Sequence, residues 1–174
     1  MWNTKLEALA TVLLSAGALG AQSNPNAQHM MRHDGAFVTA AAQGGMAEVQ
    51  MGRLAVEKAS DPKVKEFGQR MVDDHTKAGN ELKSTAERDG VALPPAISAK
   101  QKATLNRLSR LSGSAFDRAY MQDMVKDHEE DVAAFQREAD KGSDPDMKVF
   151  AGKTLPTLQD HLREAKQTES QLKQ

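Results

Sequence analysis

Apolar and small side chains recur at helical spacing in four long stretches of this chain. From Asp34 to Ala59, the residues Phe37, Ala41, Gly44, Glu48, Met51, Gly52, Ala55 and Ala59 share one face at about 100° per residue, which predicts an amphipathic helix. That face is small-sided, so a neighbouring helix can approach closely, and Glu48 stands at the centre of its apolar arc. A second helix is predicted from Pro62 to about Glu87, with Val64, Phe67, Met71, His75, Ala78 and Leu82 inward and with Gly90 and Pro94-Pro95 ending it. A third starts at Ser114, read as an N-cap with Asp117 in the capping-box position, and turns Tyr120, Met121, Met124, His128, Val132, Phe135 and Ala139 inward as far as Gly142. The fourth opens at Asp144-Pro145 and carries Met147, Phe150, Ala151, Leu155, Leu158, His161, Leu162 and Ala165 on one face. Pro156 is expected to kink it, and the polar tail from Gln167 is expected to fray.

Two near-identical corners, Ser60-Asp61-Pro62 and Ser143-Asp144-Pro145, each separate two of these helices. Glu48 lies thirteen positions before Asp61 and His75 thirteen after Pro62, while His128 lies sixteen before Asp144 and His161 sixteen after Pro145. In an antiparallel helical hairpin, equal distance from the turn means equal height, at about 1.5 Å of rise per residue. Each pair therefore faces across its own hairpin. The stretch from Arg88 to Gly113 is longer than a hairpin needs, and Leu105, Leu108 and Leu111 give it a short helical pattern. A connection of this length can run the full height of a bundle, so the third long helix runs parallel to the second and the two corners lie at opposite ends. The fold class is all-α: a four-helix bundle with a long crossover between the second and third long helices that contains a short extra helix. Both polar pairs then fall near mid-bundle.

Composition narrows the chemistry. The 174 residues, 39% hydrophobic and 27% charged, suit one domain, placed at residues 34–174. A formal net charge of −1, with no long Lys/Arg run, argues against a nucleic-acid partner. There is no cysteine, which excludes disulfides and thiolate ligands and leaves His, carboxylate, Tyr or Met for any metal. Residues 1–21 read as a signal peptide, with Lys5, the apolar run Ala8 to Leu19 and small residues before Gln22. The expectation is export to the periplasm or the outer-membrane surface, with no transmembrane span in the mature chain. Residues 22–33 read as a flexible leader whose His29-Met30-Met31-Arg32-His33 could hold a soft cation.

Glu48, His75, His128 and His161, one from each long helix, form a credible ligand set for one transition metal ion such as Zn, Fe, Mn or Cu. One polar group in a core can be a satisfied oddity, whereas four at one level require a shared partner. Tyr120 and Asp131 stand outside this set, and Met71 and Met124 each lie four residues before a histidine. The competing interpretation is a metal-free Glu/His network that fixes register. Asp73, Asp74, Glu129 and Glu130 are assigned to solvated helix surface.

Gly44-Gly45-Met46-Ala47-Glu48-Val49, Val72-Asp73-Asp74-His75, Phe116-Asp117-Arg118-Ala119-Tyr120 and Leu155-Pro156 through His161 resemble a bacterial exported family, domain of unknown function 4142. The resemblance covers about Asp34 to Leu172. It implies a ferritin-like bundle, often described as an outer membrane protein, and supplies no activity. In di-iron bundles of that layout, helices contribute Glu and Glu-x-x-His. Here Val72 and Leu158 stand three residues before His75 and His161, and helix three offers His128, so two-iron chemistry lacks its carboxylates. The sequence points to a non-catalytic exported bundle that binds one ion and is linked to envelope stress. The alternative is a metal-free structural or interaction module, working with an envelope protein partner or as a homo-oligomer.

Overall fold

The computed structural model describes Gln28 and residues 34–173. The segments read as signal peptide and leader, Gln28 apart, lie outside the described residues. Among residues 34–173, five helices follow in order: α1 (Gly35–Lys58), α2 (Pro62–Arg88), α3 (Ala99–Ser109), α4 (Gly113–Lys141) and α5 (Pro145–Gln171). No strand occurs among the described residues, and none of the helices there is long and apolar enough to cross a membrane.

Helices α1 and α2 form one hairpin and α4 and α5 the other; α1 packs on α4, α2 on α5, and α3 lies against α1 and α4. Both corners follow the capping logic of their sequence. The Asp61 carboxylate accepts from the Lys63 amide, Asp144 accepts from the Asp146 and Met147 amides, and each Pro takes the first helical turn, where no amide donor is needed. Gly90, at φ 71°, ends α2, and the Val91 amide closes back on the Ala86 carbonyl at 2.8 Å, a turn a side chain would strain. Ser98 and Gln101 form a capping box at the start of α3.

Each corner is also gripped by the opposite hairpin. Asp34, just before α1, accepts from the Ser143 and Asp144 amides at 3.0 and 2.7 Å. Asp117, in the first turns of α4, accepts from the Ser60 and Asp61 amides at 3.0 Å each and from the Ser60 hydroxyl. The start of α4 thus sits at the first corner and the start of α1 at the second, so the corners lie at opposite ends and the crossover spans the height, as expected. Asp34 and Asp117 are 83 positions apart, as are Asp61 and Asp144, Phe67 and Phe150, and Glu48 and Asp131. The bundle is built from two hairpins related by that offset.

Three expectations change. Ser114 and Asp117 form no capping box: α4 begins at Gly113, after Ser112, and the Asp117 carboxylate goes to the corner, where it accepts from two half-buried amides. The early core face of α1 is Val38 and Ala42, with Phe37 and Ala41 only half-buried, because α1 turns between two neighbours there. The tail does not fray at Gln167: α5 continues to Gln171, Thr168 is buried, and Lys63 donates to Gln171 at 2.8 Å. Replacing Asp117 with alanine strands several donors at a half-buried corner. It is expected to cost about 2–3 kcal/mol in urea unfolding, against an unpaired-group penalty of about 1–3 kcal/mol.

Candidate metal centre

The interior is two apolar clusters with a polar layer between. Toward the first corner lie Met51, Phe67, Met71, Phe116, Tyr120 and Met124; toward the second lie Val38, Leu82, Phe135, Phe150 and Leu158. Glu48 from α1, His75 from α2, His128 from α4 and His161 from α5 meet at the junction, exposed by only 2%, 7%, 0% and 0%. The three imidazole centroids stand 5.3–5.7 Å apart, and Phe67 lies edge-on to His128 and His161 at 6.3 and 6.4 Å. One nitrogen from each histidine lies within 4.8 Å of the other two.

Neighbours fix the tautomers of two rings. His128 Nδ1 is 2.9 Å from the Met124 carbonyl, which can only accept, so Nδ1 carries the proton and Nε2 holds the lone pair. His161 Nε2 is 2.8 Å from Asp74 Oδ2. Burial draws the Asp74 carboxyl upward, but its contacts with His161 and Arg70 outweigh this and leave it below the usual range, an ionised acceptor. His161 Nε2 therefore donates, and its Nδ1 holds the lone pair. The two free lone pairs face each other: His128 Nε2 and His161 Nδ1 are 3.3 Å apart with no proton between them.

A cation resolves that opposition. Burial keeps all three imidazoles below their ordinary pKa, His161 down to about 3, so a proton is a poor candidate. The His128–His161 distance matches a metal ion, since ligands about 2.0–2.1 Å from an ion stand about 3.3–3.4 Å apart in a tetrahedron, and the third imidazole offers a nitrogen within 4.8 Å of both. Glu48 Oε1 lies 3.5 Å from His128 Nε2, and Glu48 Oε2 lies 3.0 Å from His75 Nδ1. Neither Glu48 oxygen completes a well-aligned hydrogen bond, and His75 Nε2 is buried without a partner. Burial pushes the Glu48 carboxyl up to about 7 against the pull of His128 and of a contact from Asp131.

Residues 19–168 match the sequence pattern of the family described as Domain of unknown function (DUF4142). The chain belongs to that family. No curated protein matches this DUF4142 chain. Among solved structures it is similar to the crystal structure of a DUF305 fragment from Deinococcus radiodurans, at a TM-score of 0.69 and 16% identity, over 78% of this chain and 94% of that one. At that identity the likeness is one of fold, and it agrees with an all-helical bundle.

All four residues singled out as a ligand set come together. Asp131 is half-buried beside them, one α4 turn beyond His128, and burial and the Glu48 charge push its carboxyl well above the usual range. Tyr120 is fully buried and stacked on Phe116 at 5.6 Å; its hydroxyl has no partner, and burial together with the Glu48 charge raises it well above its usual value. Asp74, assigned to solvated surface, is instead the acceptor for His161 and is tied by Arg70 to Glu164 on α5. The signal was the four-residue spacing of Arg70 and Asp74 at the helix margin beside His75. The leader histidines, His29 and His33, lie outside the described residues.

Proposed function

We propose that this chain is a helical bundle that binds one transition metal ion at mid-height through His75, His128, His161 and Glu48. The facing lone pairs of His128 and His161 support this best, since a neutral imidazole pair so arranged presents two donors to a single cation. Asp74 has the role of an outer carboxylate that orients a ligating imidazole, and the Met124 carbonyl does the same for His128. The ligands come from all four long helices, so the ion cross-links the bundle. The sequence of residues 1–21 supports export, which would place this binding in the periplasm or at the outer-membrane surface, a setting that fits a metal-holding role in envelope stress. Four protein ligands close the coordination of a tetrahedral ion, which suits its retention rather than turnover.

Elemental mass spectrometry of the untagged protein, prepared without chelators, is expected to find one ion per chain. Absence of any ion after reloading would leave a metal-free polar core as the account.

Proton linkage separates the two forms further. The imidazoles are depressed in the folded state, so each loses stability as pH falls below the unfolded value near 6.5. The acids raised by burial, Glu48 and Glu138 to about 7, Asp127 to about 6 and Asp131 well above its usual range, act oppositely: below those raised values the folded state holds more protons than the unfolded chain, so acidification stabilises it. These slopes oppose one another, and the metal-free protein is expected to change little in stability from pH 7 to 5. The metal-loaded protein is expected to lose its extra stability over the same range, because protons compete for the imidazoles. Thermal melts of both forms across that range check the difference.

A further inference from the structure

A cavity of about 710 Å³ opens between α1 and α2 on the side of the second corner, and Glu48, His75 and Asp131 are among the residues that line it. Its origin lies in the sequence. Ala41, Ala42 and Gly45 on α1 face Ala78 and Gly79 on α2, and such small side chains leave volume that nothing fills. Leu82, Phe135, Phe150 and Leu158 give it apolar walls, while Arg53 and Lys83 also border it. A Cβ added at Gly79 would meet no atom within 4 Å, and one added at Gly45 would meet only His75 Nδ1, at 4.0 Å. Among the polar residues that line it are the carboxylates of Glu48 and Asp131 and the buried imidazole of His75, which borders both the cavity and the histidine cluster. Close-packed interiors do not keep such volume without cost, and a large apolar recess with a few convergent polar groups is the usual form of a small-molecule site.

We propose that this cavity binds a small molecule with an apolar body and one terminal Lewis-base donor atom, the donor reaching the metal ion from the side of Glu48 and His75. The inference rests on the metal-binding reading and adds the ligand. Three imidazoles and Glu48 complete a tetrahedron, so the donor enters as a fifth ligand or displaces the Glu48 oxygen, both within the range of zinc-type ions. A nitrogen heterocycle and a carboxylate share the required chemistry. A donor with no apolar body leaves the walls unfilled, and an apolar body with no donor leaves the ion unaddressed.

The test uses the full chain loaded with cobalt(II), whose visible spectrum reports its coordination, titrated with 4-phenylimidazole and, separately, with octanoate. Imidazole and acetate serve as donors without a body, and toluene as a body without a donor. At least one of the two amphipathic probes is expected to change the spectrum and to bind at least tenfold more tightly than its bodiless counterpart; which one responds identifies the donor class. In Ala78→Leu and Gly79→Leu that affinity is expected to fall at least tenfold while one cobalt per chain is retained. If Ala78→Leu does not fold, Gly79→Leu still decides, because its position is open. One cobalt per chain with no response to either probe, with imidazole and acetate binding as well as the larger probes, or with toluene binding as tightly, overturns the ligand site and leaves the metal site standing. Failure to hold cobalt overturns both, and the metal analysis tells the two failures apart.

Discussion

Replacing His128 with alanine is expected to lower metal affinity by more than a hundredfold and to abolish stoichiometric binding. His128 is fully buried, and its Nδ1 is committed to the Met124 carbonyl, so its Nε2 lone pair is held at the centre without rotamer freedom. That nitrogen also stands close to two other donors at once, 3.3 Å from His161 Nδ1 and 3.5 Å from Glu48 Oε1. Loss of an outer partner typically costs about tenfold to a hundredfold in affinity, and loss of a direct ligand costs more. Asp74→Ala supplies the comparison within that smaller range, since it frees the His161 ring without removing a donor atom. Competition titrations against a chelator of known strength measure both. Equal affinities for His128→Ala and the parent chain would place the ion elsewhere.

Gly68→Ala is expected to destabilise the fold by about 2–3 kcal/mol, in the range for overpacking a tight contact. A Cβ at Gly68 would come within 2.7 Å of the Ala55 Cβ and 2.9 Å of the Gly52 carbonyl; one at Gly52 would come within 2.6 Å of the Gly68 carbonyl. The obstacle is largely backbone, so the helices must separate. Better helix propensity offsets about 1 kcal/mol of the clash. The same α1–α2 contact sets Glu48 against His75, so Gly68→Ala should weaken metal binding as well. Gly79→Ala, in open space, keeps only the propensity gain and is expected to stabilise by about 0.5–1 kcal/mol. Urea unfolding of the two variants should give opposite signs.

The paired corners made the bundle legible in the sequence. An N-cap followed by Pro starts a helix wherever it stands, and counting outward from two such starts put Glu48, His75, His128 and His161 at one level before any contact was known. Local pattern could not say where Asp117 would turn. Its spacing from Ser114 matches a capping box, yet three donors at the far corner claim the carboxylate, and only the packed hairpins bring them near. Asp74 was missed for a related reason: on the helix surface it reads as solvated, and only the neighbouring α5 presents His161 to it. The offset of 83 positions that relates Asp34 to Asp117 and Glu48 to Asp131 was present in the chain all along. Sparse identity at that offset hides it until the two aspartates are seen making the same bonds at opposite ends. The cavity was the least visible feature, because small residues on a helix face predict close approach, as at Gly52 and Gly68, and equally an unfilled space, as at Ala78 and Gly79.

X-ray absorption at the edge of the bound metal in the purified full chain tests the central claim most directly. The expected spectrum is a single ion with three imidazole rings and carboxylate oxygen in its first shell, at about 2.0–2.2 Å. An ion surrounded by oxygen with one imidazole or none would contradict it, and would move the metal out of the layer that Glu48, His75, His128 and His161 build.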